Sequence, residues 1–259
     1  MNILDNVLPP THLWSVFHIV YMVLIIPIIV VSLILIKKYV KNEKALTWIM
    51  RGAGILLFIL IVTNHIDVVR FDVEIDHRTE NIFGHETPAT WAMVWLPFTL
   101  CSLSSLVMPF STFMKKDNWL AHTFYLIAIL GGVANIIYPE YLDTQYIYQY
   151  RTWSALAHHV LSMWLALLML LTGFVKPSMR KIHYLPIGLM FTVVLGVFEL
   201  QVLHFDEAFN IPNPIAKVFY WYLVDLGLIL FNFIWVLLFE KLVYKKTFKE
   251  IFTFKTNNS

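Results

Sequence analysis

Long apolar segments recur along this chain, and they restrict its possible folds more than any other feature. Each is about 20 residues long, which is enough to cross ~30 Å of bilayer hydrocarbon as an α-helix. Hydrophobic residues make up 59% of the 259 residues, and only 14% are charged. Soluble domains usually hold about 45–50% apolar residues. The sequence therefore predicts an all-α, polytopic membrane protein.

Seven such segments predict a bundle of seven transmembrane helices that forms one domain over residues 1–259. The predicted spans cover residues 13–36, 50–69, 90–113, 119–138, 152–175, 183–204 and 216–240. The loop between the second and third spans contains an alternating apolar and acidic stretch over residues 69–76, which predicts either a solvated loop or a short strand.

The charges of the connecting segments indicate an orientation. Fifteen of the 19 lysines and arginines follow the first, third, fifth and seventh spans. By the positive-inside rule, this places the N-terminus outside and the C-terminus in the cytoplasm. The same rule accounts for the basic residues, so we expect no nucleic-acid partner. The abundance of Ile, Lys, Asn and Phe suggests a bacterial chain, and hence a multi-pass protein of the plasma membrane.

Polar side chains at membrane depth are the candidate functional residues. Ionisable groups there cost about 2.5–3.5 kcal/mol on insertion scales, and they usually face the bundle interior and mark a function. Cys101 is predicted ~17 Å along the third span, close to the bilayer midplane. Other polar groups on four further spans are predicted in the outer half of the membrane, namely Asn135, His158, His159, Glu199 and Asp225.

The residue types predict thiol chemistry. A thiol becomes a strong nucleophile when a nearby histidine takes its proton, and the resulting imidazolium can then protonate a leaving alkoxide. His158 and His159 are adjacent, so their side chains diverge by ~100° on a helix and only one can face Cys101. From the residues alone, either histidine could be the base.

Five further residues are predicted to support this chemistry. A carboxylate can orient a catalytic histidine, and amide or hydroxyl groups can stabilise an oxyanion. The candidates for the first role are Asp225 and Glu199, and those for the second are Asn135, Thr99 and Ser102.

Four motifs resemble those of a known family. Leu96–Leu103 resembles the Leu-Pro-x-x-Leu-Cys signature in the third helix of the bacterial YwaF family, whose animal relative is transmembrane protein 164, a phospholipid acyltransferase. Tyr138–Glu140 is similar to the family's Pro-acid pair, His158–His159 to its fifth-helix histidine, and Phe219–Tyr222 to the aromatic start of its last helix. The resemblance covers residues 90–240.

The resemblance implies that Cys101 attacks a phospholipid ester, becomes an acyl-thioester, and passes the acyl group to an acceptor such as a lysophospholipid. It implies no cofactor and no metal. Alignment by spacing from the cysteine favours His159 as the family histidine, whereas alignment by flanking residues favours His158. Thr99 stands where bacterial members often have a histidine, and the role of Glu199 rests on its predicted burial alone.

Two other functions fit the same residues. One is a metal-dependent seven-helix lipid hydrolase, whose ligands would come from a larger set of polar residues. That set is His65, Asp67, His158, His159, Glu199, His204 and Asp225. The sequence has no His-x-x-x-His pair to support it. The other is a lipid-binding or carrier protein without catalytic activity.

Overall fold

The computed structural model describes residues 14–76, 99–139, 142, 149–201, 207–208, 211–212 and 218–252. Its helices are α1 (Val16–Tyr39), α2 (Glu43–Asp76), α3 (Leu100–Ser111), α4 (Trp119–Ile137), α5 (Tyr150–Leu171), α6 (Tyr184–Gln201), α7 (Val218–Leu242) and α8 (Phe248–Phe252). A 3₁₀ turn covers Met179–Lys181. Two short strands, β1 (Glu207–Ala208) and β2 (Ile211–Pro212), pair antiparallel with Glu207 opposite Pro212.

The protein is a polytopic helical membrane protein. Six candidate spans are long and apolar enough to cross a bilayer, and they lie on α1, α2, α4, α5, α6 and α7. The third predicted span corresponds to α3, which has 12 residues and is therefore only ~18 Å long. Residues 90–98 of that predicted span lie outside the described residues.

Helix α2 is longer than the sequence predicts. Asn42 caps its first turn, because its side-chain oxygen accepts a hydrogen bond from the backbone N–H of Lys44 at 2.9 Å. The helix then runs to Asp76, so the predicted short strand or loop over residues 69–76 is wrong. No glycine or proline interrupts this stretch, and each further residue of an existing helix adds a hydrogen bond.

Helices α4 and α5 form the centre of the bundle. Helix α5 contacts α1, α2, α3 and α4, whereas α6 packs on α4 and α7 packs on α6. Glycines allow the close crossings, because a helix without a side chain at the contact can approach its neighbour's backbone. A Cβ at Gly54 would lie 3.0 Å from Thr112 Oγ1, and a Cβ at Gly188 would overlap Thr123.

Polar contacts join the connecting segments at one end of the bundle, which we call the lysine-rich end (residues 40–42, 112–118, 172–183 and 243–247). Asp117 accepts hydrogen bonds from His122 Nε2 at 2.6 Å, from the Lys176 backbone N–H at 3.1 Å, and from Lys181 Nζ. Burial raises the pKa of the Asp117 carboxyl, but the hydrogen bonds from Lys181 and His122 outweigh this and hold it below its usual value.

A second carboxylate at the lysine-rich end is almost fully buried. Glu240 accepts hydrogen bonds from Ser178 Oγ at 3.1 Å, Met179 N–H at 3.2 Å and Lys246 Nζ at 2.6 Å. It therefore ties the end of α7 to the segment between α5 and α6. These contacts bring the segments that follow α5 and α7 together at the same end of the bundle.

At the opposite end, a buried histidine links α1 to α4. His18 Nδ1 accepts a hydrogen bond from the Trp14 backbone N–H at 3.1 Å. Nε2 therefore carries the proton and donates to the Ile136 carbonyl at 3.0 Å. This carbonyl belongs to the last turn of α4 and has no partner within a regular helix. His18 was not among the predicted functional residues, and its role here is to satisfy a helix end.

Candidate functional site

Cys101 lies in the first turn of α3. Thr99 has an extended backbone (φ −129°, ψ 156°) and caps the helix, because its hydroxyl accepts from the Ser102 N–H at 3.0 Å. The helix therefore begins at Leu100, so the predicted continuous helix over residues 90–113 is wrong at Thr99, and Cys101 lies in the first turn of α3. The depth of Cys101 in the bilayer stays a prediction. The N-terminus of a helix favours a thiolate over a thiol.

The sulfur of Cys101 packs against the backbone of α4. A Cβ at Gly131 would lie 2.6 Å from Cys101 Sγ, so only glycine leaves room for the thiol. At the next residue, a Cβ at Gly132 would overlap Met163 and lie 3.0 Å from the His159 carbonyl oxygen. Adjacent residues face directions ~100° apart, so α3 and α5 are neighbours around α4 at nearly the same depth. The two helices also contact each other directly.

His158 is a buried imidazole with one free nitrogen. Its Nδ1 lies 2.9 Å from the Ser154 carbonyl oxygen, which can only accept. The proton is therefore assigned to Nδ1, and Nε2 keeps its lone pair. Among the described residues, Nε2 is buried and has no hydrogen-bond partner. It follows that the Cys101 thiol and His158 Nε2 lie on neighbouring helices but are not hydrogen-bonded in this structure.

Two other histidines surround His158. The His159 ring stacks against it at 4.2 Å between centroids, with the planes tilted by 33°. His65, on α2, is buried and interacts electrostatically with His158. The two residues therefore have different contacts. The His158 ring is buried in the bundle, whereas the backbone carbonyl of His159 packs on α4.

The orientation of His158 is set by α2 and by the first turns of α5. Asn64 Nδ2 donates to Ser154 Oγ at 2.7 Å and to the Arg151 carbonyl at 3.2 Å. These two hydrogen bonds hold the first turns of α5 in place. The Ser154 carbonyl in this segment fixes the His158 tautomer. Sequence reasoning missed Ser154, because a backbone carbonyl acceptor has no signature in the residue types.

The predicted orienting carboxylates lie elsewhere or outside the described side chains. Asp225 is half-buried on α7, and α7 packs on α6. The side chain of Glu199 is outside the described residues. The position at Nδ1 where such a carboxylate would act is held by the Ser154 carbonyl.

The predicted oxyanion donors surround the start of α3. The Thr99 hydroxyl donates to Ser102 Oγ at 2.9 Å, so its proton is used within the cap. Asn135 is buried, and it lies four residues after Gly131 on the same face of α4. Asn135 is therefore about one helical turn from the level of Cys101.

The described residues do not form a metal centre. Within the ranges given above, no group of three histidine, cysteine, aspartate or glutamate side chains could hold a metal ion. Of the ligands considered for a metal-dependent hydrolase, His204 and the side chains of Asp67 and Glu199 lie outside the described residues. The arrangement that is described places one thiol and one free imidazole nitrogen on adjoining helices.

Comparison with family models identifies the family of the chain. The sequence model of the TMEM164 family matches residues 13–239. The chain belongs to the TMEM164 family. The resemblance seen in the sequence motifs is thereby confirmed, and the match extends it to α1 and α2, where only hydropathy agreed. Searches of curated proteins and of solved structures find no match. Within this TMEM164 family member, Cys101, His158 and the glycine pair all fall inside the matched region.

Proposed function

We propose that this TMEM164 family member is a phospholipid acyltransferase in which Cys101 is the nucleophile and His158 is the base. The observation that carries the proposal is His158 Nε2, which has no partner among the described residues and is buried on a helix that contacts the helix of the chain's one cysteine. An unpaired polar atom in an apolar interior costs about 1–3 kcal/mol. A proton taken from Cys101 during the reaction would give this nitrogen its partner.

The first half-reaction transfers an acyl group to sulfur. His158 Nε2 takes the thiol proton, and the N-terminus of α3 stabilises the thiolate. The sulfur attacks the ester carbonyl carbon of a phospholipid, and the carbonyl π electrons move onto oxygen. When the C=O bond re-forms, the bond from carbon to the glycerol oxygen breaks. The leaving alkoxide takes the proton from Nε2 and departs as a lysophospholipid.

The second half-reaction reverses these steps with a different acceptor. The hydroxyl of an incoming lysophospholipid gives its proton to Nε2 and attacks the thioester carbonyl. The carbon–sulfur bond then breaks, and the thiolate regains a proton from the imidazolium. The product is a phospholipid with an exchanged acyl chain. Both substrates reach the site from the membrane in which the protein is embedded.

His158 suits the role of base better than His159. The hydrogen bond from Nδ1 to the Ser154 carbonyl fixes the tautomer that leaves Nε2 basic, as the third member of a catalytic triad does. His159 contributes its carbonyl to the packing on Gly132 and its ring to the stack on His158. We therefore expect His159 to position His158 rather than to move the proton.

The test uses the purified full-length protein in lipid nanodiscs. Isotope-labelled lysophospholipid is supplied, and acyl exchange and Cys101 acylation are followed by mass spectrometry. Cys101→Ala should abolish both, and His158→Ala should lower the rate by ~10²–10⁴-fold. His159→Ala should have a smaller effect. His183→Ala, which removes an exposed histidine at the lysine-rich end, should have none.

Two results would count against this function. Full acyl exchange by the Cys101→Ala protein would remove the thiol mechanism, and stoichiometric zinc in that active variant would favour a metal-dependent hydrolase. Lipid binding without any acylation of Cys101 in the wild-type protein would favour a carrier.

A further inference from the structure

Two buried serine hydroxyls, on the helices of the proposed nucleophile and base, have no hydrogen-bond partner in the part of the chain that the structure describes. Ser105 on α3 and Ser162 on α5 are only 1% and 2% exposed, and neither Oγ has a partner among the described residues. Serine and threonine in apolar helices usually donate to a carbonyl of the preceding turn. Thr192 does so to Gly188 at 2.8 Å, which shows that this option is used elsewhere in the bundle. Ser105 and Ser162 leave it unused.

Helical geometry turns Ser162 toward α3. Helix α5 meets α2 at Ser154 and meets α4 at Met163. At ~100° per residue, His158 and Ser162 lie on the arc between these two contacts. Ser154 and Met163 are ~180° apart on α5, and the other half of the helix carries Trp164, which donates to Ser32 of α1 at 2.8 Å. The half with His158 and Ser162 therefore faces α3, which contacts α2, α4 and α5. Ser162 therefore lies one turn after His158 on the same side of α5.

Ser162 also lies at the depth of the sulfur. Cys101 packs on Gly131 and Met163 packs on Gly132, so the two side chains reach neighbouring levels of α4. Ser162 precedes Met163 by one residue, which is a rise of ~1.5 Å. The Ser162 hydroxyl is thus within about 3 Å of the level of Cys101, measured along the bundle.

Ser105 lies on the same side of α3 as Cys101. It follows Cys101 by four residues, so it sits about one turn, or ~6 Å, further along the helix. Helix α3 meets α4 at Cys101 and meets α2 at Pro109, whose Cα would lie 3.4 Å from a Cβ at Gly54. At ~100° per residue, Ser105 is ~40° from each of these contacts and therefore lies between them, toward α5. Side chains on a helix lean toward its N-terminus, which brings the Ser105 hydroxyl closer to Cys101.

A hydroxyl without a partner can donate a hydrogen bond when an acceptor binds beside it. In the proposed reaction, that acceptor is the acyl carbonyl oxygen of the phospholipid. We propose that Ser162, with Ser105 one turn away, forms the subsite for the acyl carbonyl oxygen of the phospholipid. This inference rests on the proposed acyl transfer. The sequence predicted Thr99, Ser102 or Asn135 as the oxyanion donor instead. Of these, Thr99 already uses its hydroxyl proton in the helix cap.

The subsite acts when the carbonyl oxygen becomes negative. As sulfur bonds to the carbonyl carbon, the π electrons move to oxygen, and the Ser162 O–H donates a hydrogen bond to the oxyanion. When the C=O bond re-forms, the carbon–oxygen bond of the ester breaks and the alkoxide takes its proton from His158. Ser162 keeps its own proton throughout. A donor placed where charge develops accelerates acyl transfer far more than it strengthens ground-state binding.

The experiment measures two reactions of Cys101 in the full-length protein in phosphatidylcholine nanodiscs. One is thioester formation from the phospholipid, which passes through an oxyanion. The other is alkylation by N-ethylmaleimide, which needs the thiolate but forms no such oxyanion at the ester site. Ser162→Ala should lower the rate of thioester formation by ~10²-fold and leave the alkylation rate unchanged. Ser105→Ala should have a smaller effect of the same kind.

Three further proteins complete the design. Ser162→Thr keeps a hydroxyl and should retain thioester formation if the proton is what matters. Ser104→Ala is the matched control, since the Ser104 hydroxyl already donates to the Cys101 carbonyl at 2.8 Å and should be dispensable. Cys101→Ala tests the underlying function separately.

The outcomes separate the two proposals. If the wild-type protein forms the thioester and Ser162→Ala forms it equally fast, the subsite is wrong and the acyltransferase stands. Parallel loss of alkylation and acylation in Ser162→Ala would also overturn the subsite, because the hydroxyl would then act on the thiol. A wild-type protein that forms no thioester removes the acyltransferase and the subsite together.

Discussion

Replacing Gly131 with alanine places a methyl group against the proposed nucleophile. The new Cβ would lie 2.6 Å from Cys101 Sγ and 3.4 Å from Cys101 Cβ. Comfortable contacts between heavy atoms of this size are about 3.5–4.0 Å, so the sulfur would have to move by ~1 Å. Since Gly131 is buried in the middle of α4, the displacement falls on the Cys101 side chain or on the start of α3.

The expected losses differ for stability and for activity. Overpacking a well-packed interior costs about 1–3 kcal/mol, and replacing glycine by alanine within a helix returns up to ~1 kcal/mol. With the full return, the net loss of unfolding free energy should be about 0–2 kcal/mol. Misplacing a reacting group by ~1 Å can lower a rate by ~10²-fold. We expect the rate of acyl transfer to fall far more than the stability.

The assay combines unfolding in detergent, followed by tryptophan fluorescence, with acyl exchange measured by mass spectrometry. Gly227→Ala on α7 is the matched control, because nothing lies within 4 Å of its added Cβ. It should keep both stability and activity. The double variant with Gly131→Ala and Cys101→Ala tests the contact itself: without the sulfur, the stability loss caused by Gly131→Ala should shrink by ~1 kcal/mol or more.

Two results would refute the reasoning. Wild-type acyl exchange by the Gly131→Ala protein would show that the sulfur does not react from the position described here. An unchanged stability loss in the double variant would show that the alanine methyl group does not press on Cys101.

Two further predictions concern the ends of the bundle. His18→Ala leaves the Ile136 carbonyl without its donor, so the unfolding free energy should fall by about 1–3 kcal/mol; a stability equal to that of His183→Ala would contradict this. Asp117→Asn keeps a residue type that tolerates the positive φ of 64° but removes the negative charge at the lysine-rich end. Because the folded-state pKa of Asp117 is lowered, its stabilisation is fully present above the ordinary carboxyl pKa of about 3.9 and is lost as the pH falls through the lowered value. Thermal unfolding of the two proteins should therefore differ at pH 7 and converge in strong acid, and a pH-independent difference would be the contrary result.

Hydropathy predicted the long helices because the bilayer imposes their length. A helix must satisfy its backbone internally in hydrocarbon, so ~20 apolar residues are sufficient evidence for one. The residue at which α2 ends and the residue at which α3 begins were harder to predict from the sequence. Helix α2 continues to Asp76 because no residue stops it, and α3 begins at Leu100 because Thr99 caps it. Both depend on local backbone geometry that mean hydropathy does not contain.

The residues of the candidate site were named from the sequence as well. One cysteine and a pair of histidines in apolar segments predict thiol chemistry, which stays a prediction, whereas the family that their motifs resemble is confirmed. The choice between His158 and His159 was open, because adjacent helical residues differ only in direction. The Ser154 carbonyl, which lies 2.9 Å from His158 Nδ1, is the contact on which we base the proposal that His158 is the base.

By itself, the sequence determined that the chain is a helical membrane protein, which of its segments are apolar enough to be candidate spans, and which side chains are candidates for reactive chemistry. Those properties depend on composition and on the bilayer as a solvent. Tertiary structure alone decided that Gly131 and Gly132 bring α3 and α5 to one level of α4, and that polar atoms of His158, Ser105 and Ser162 have no partner among the described residues. The reason is physical: which atoms meet, and which remain without partners, is set by packing between helices that are distant in the chain.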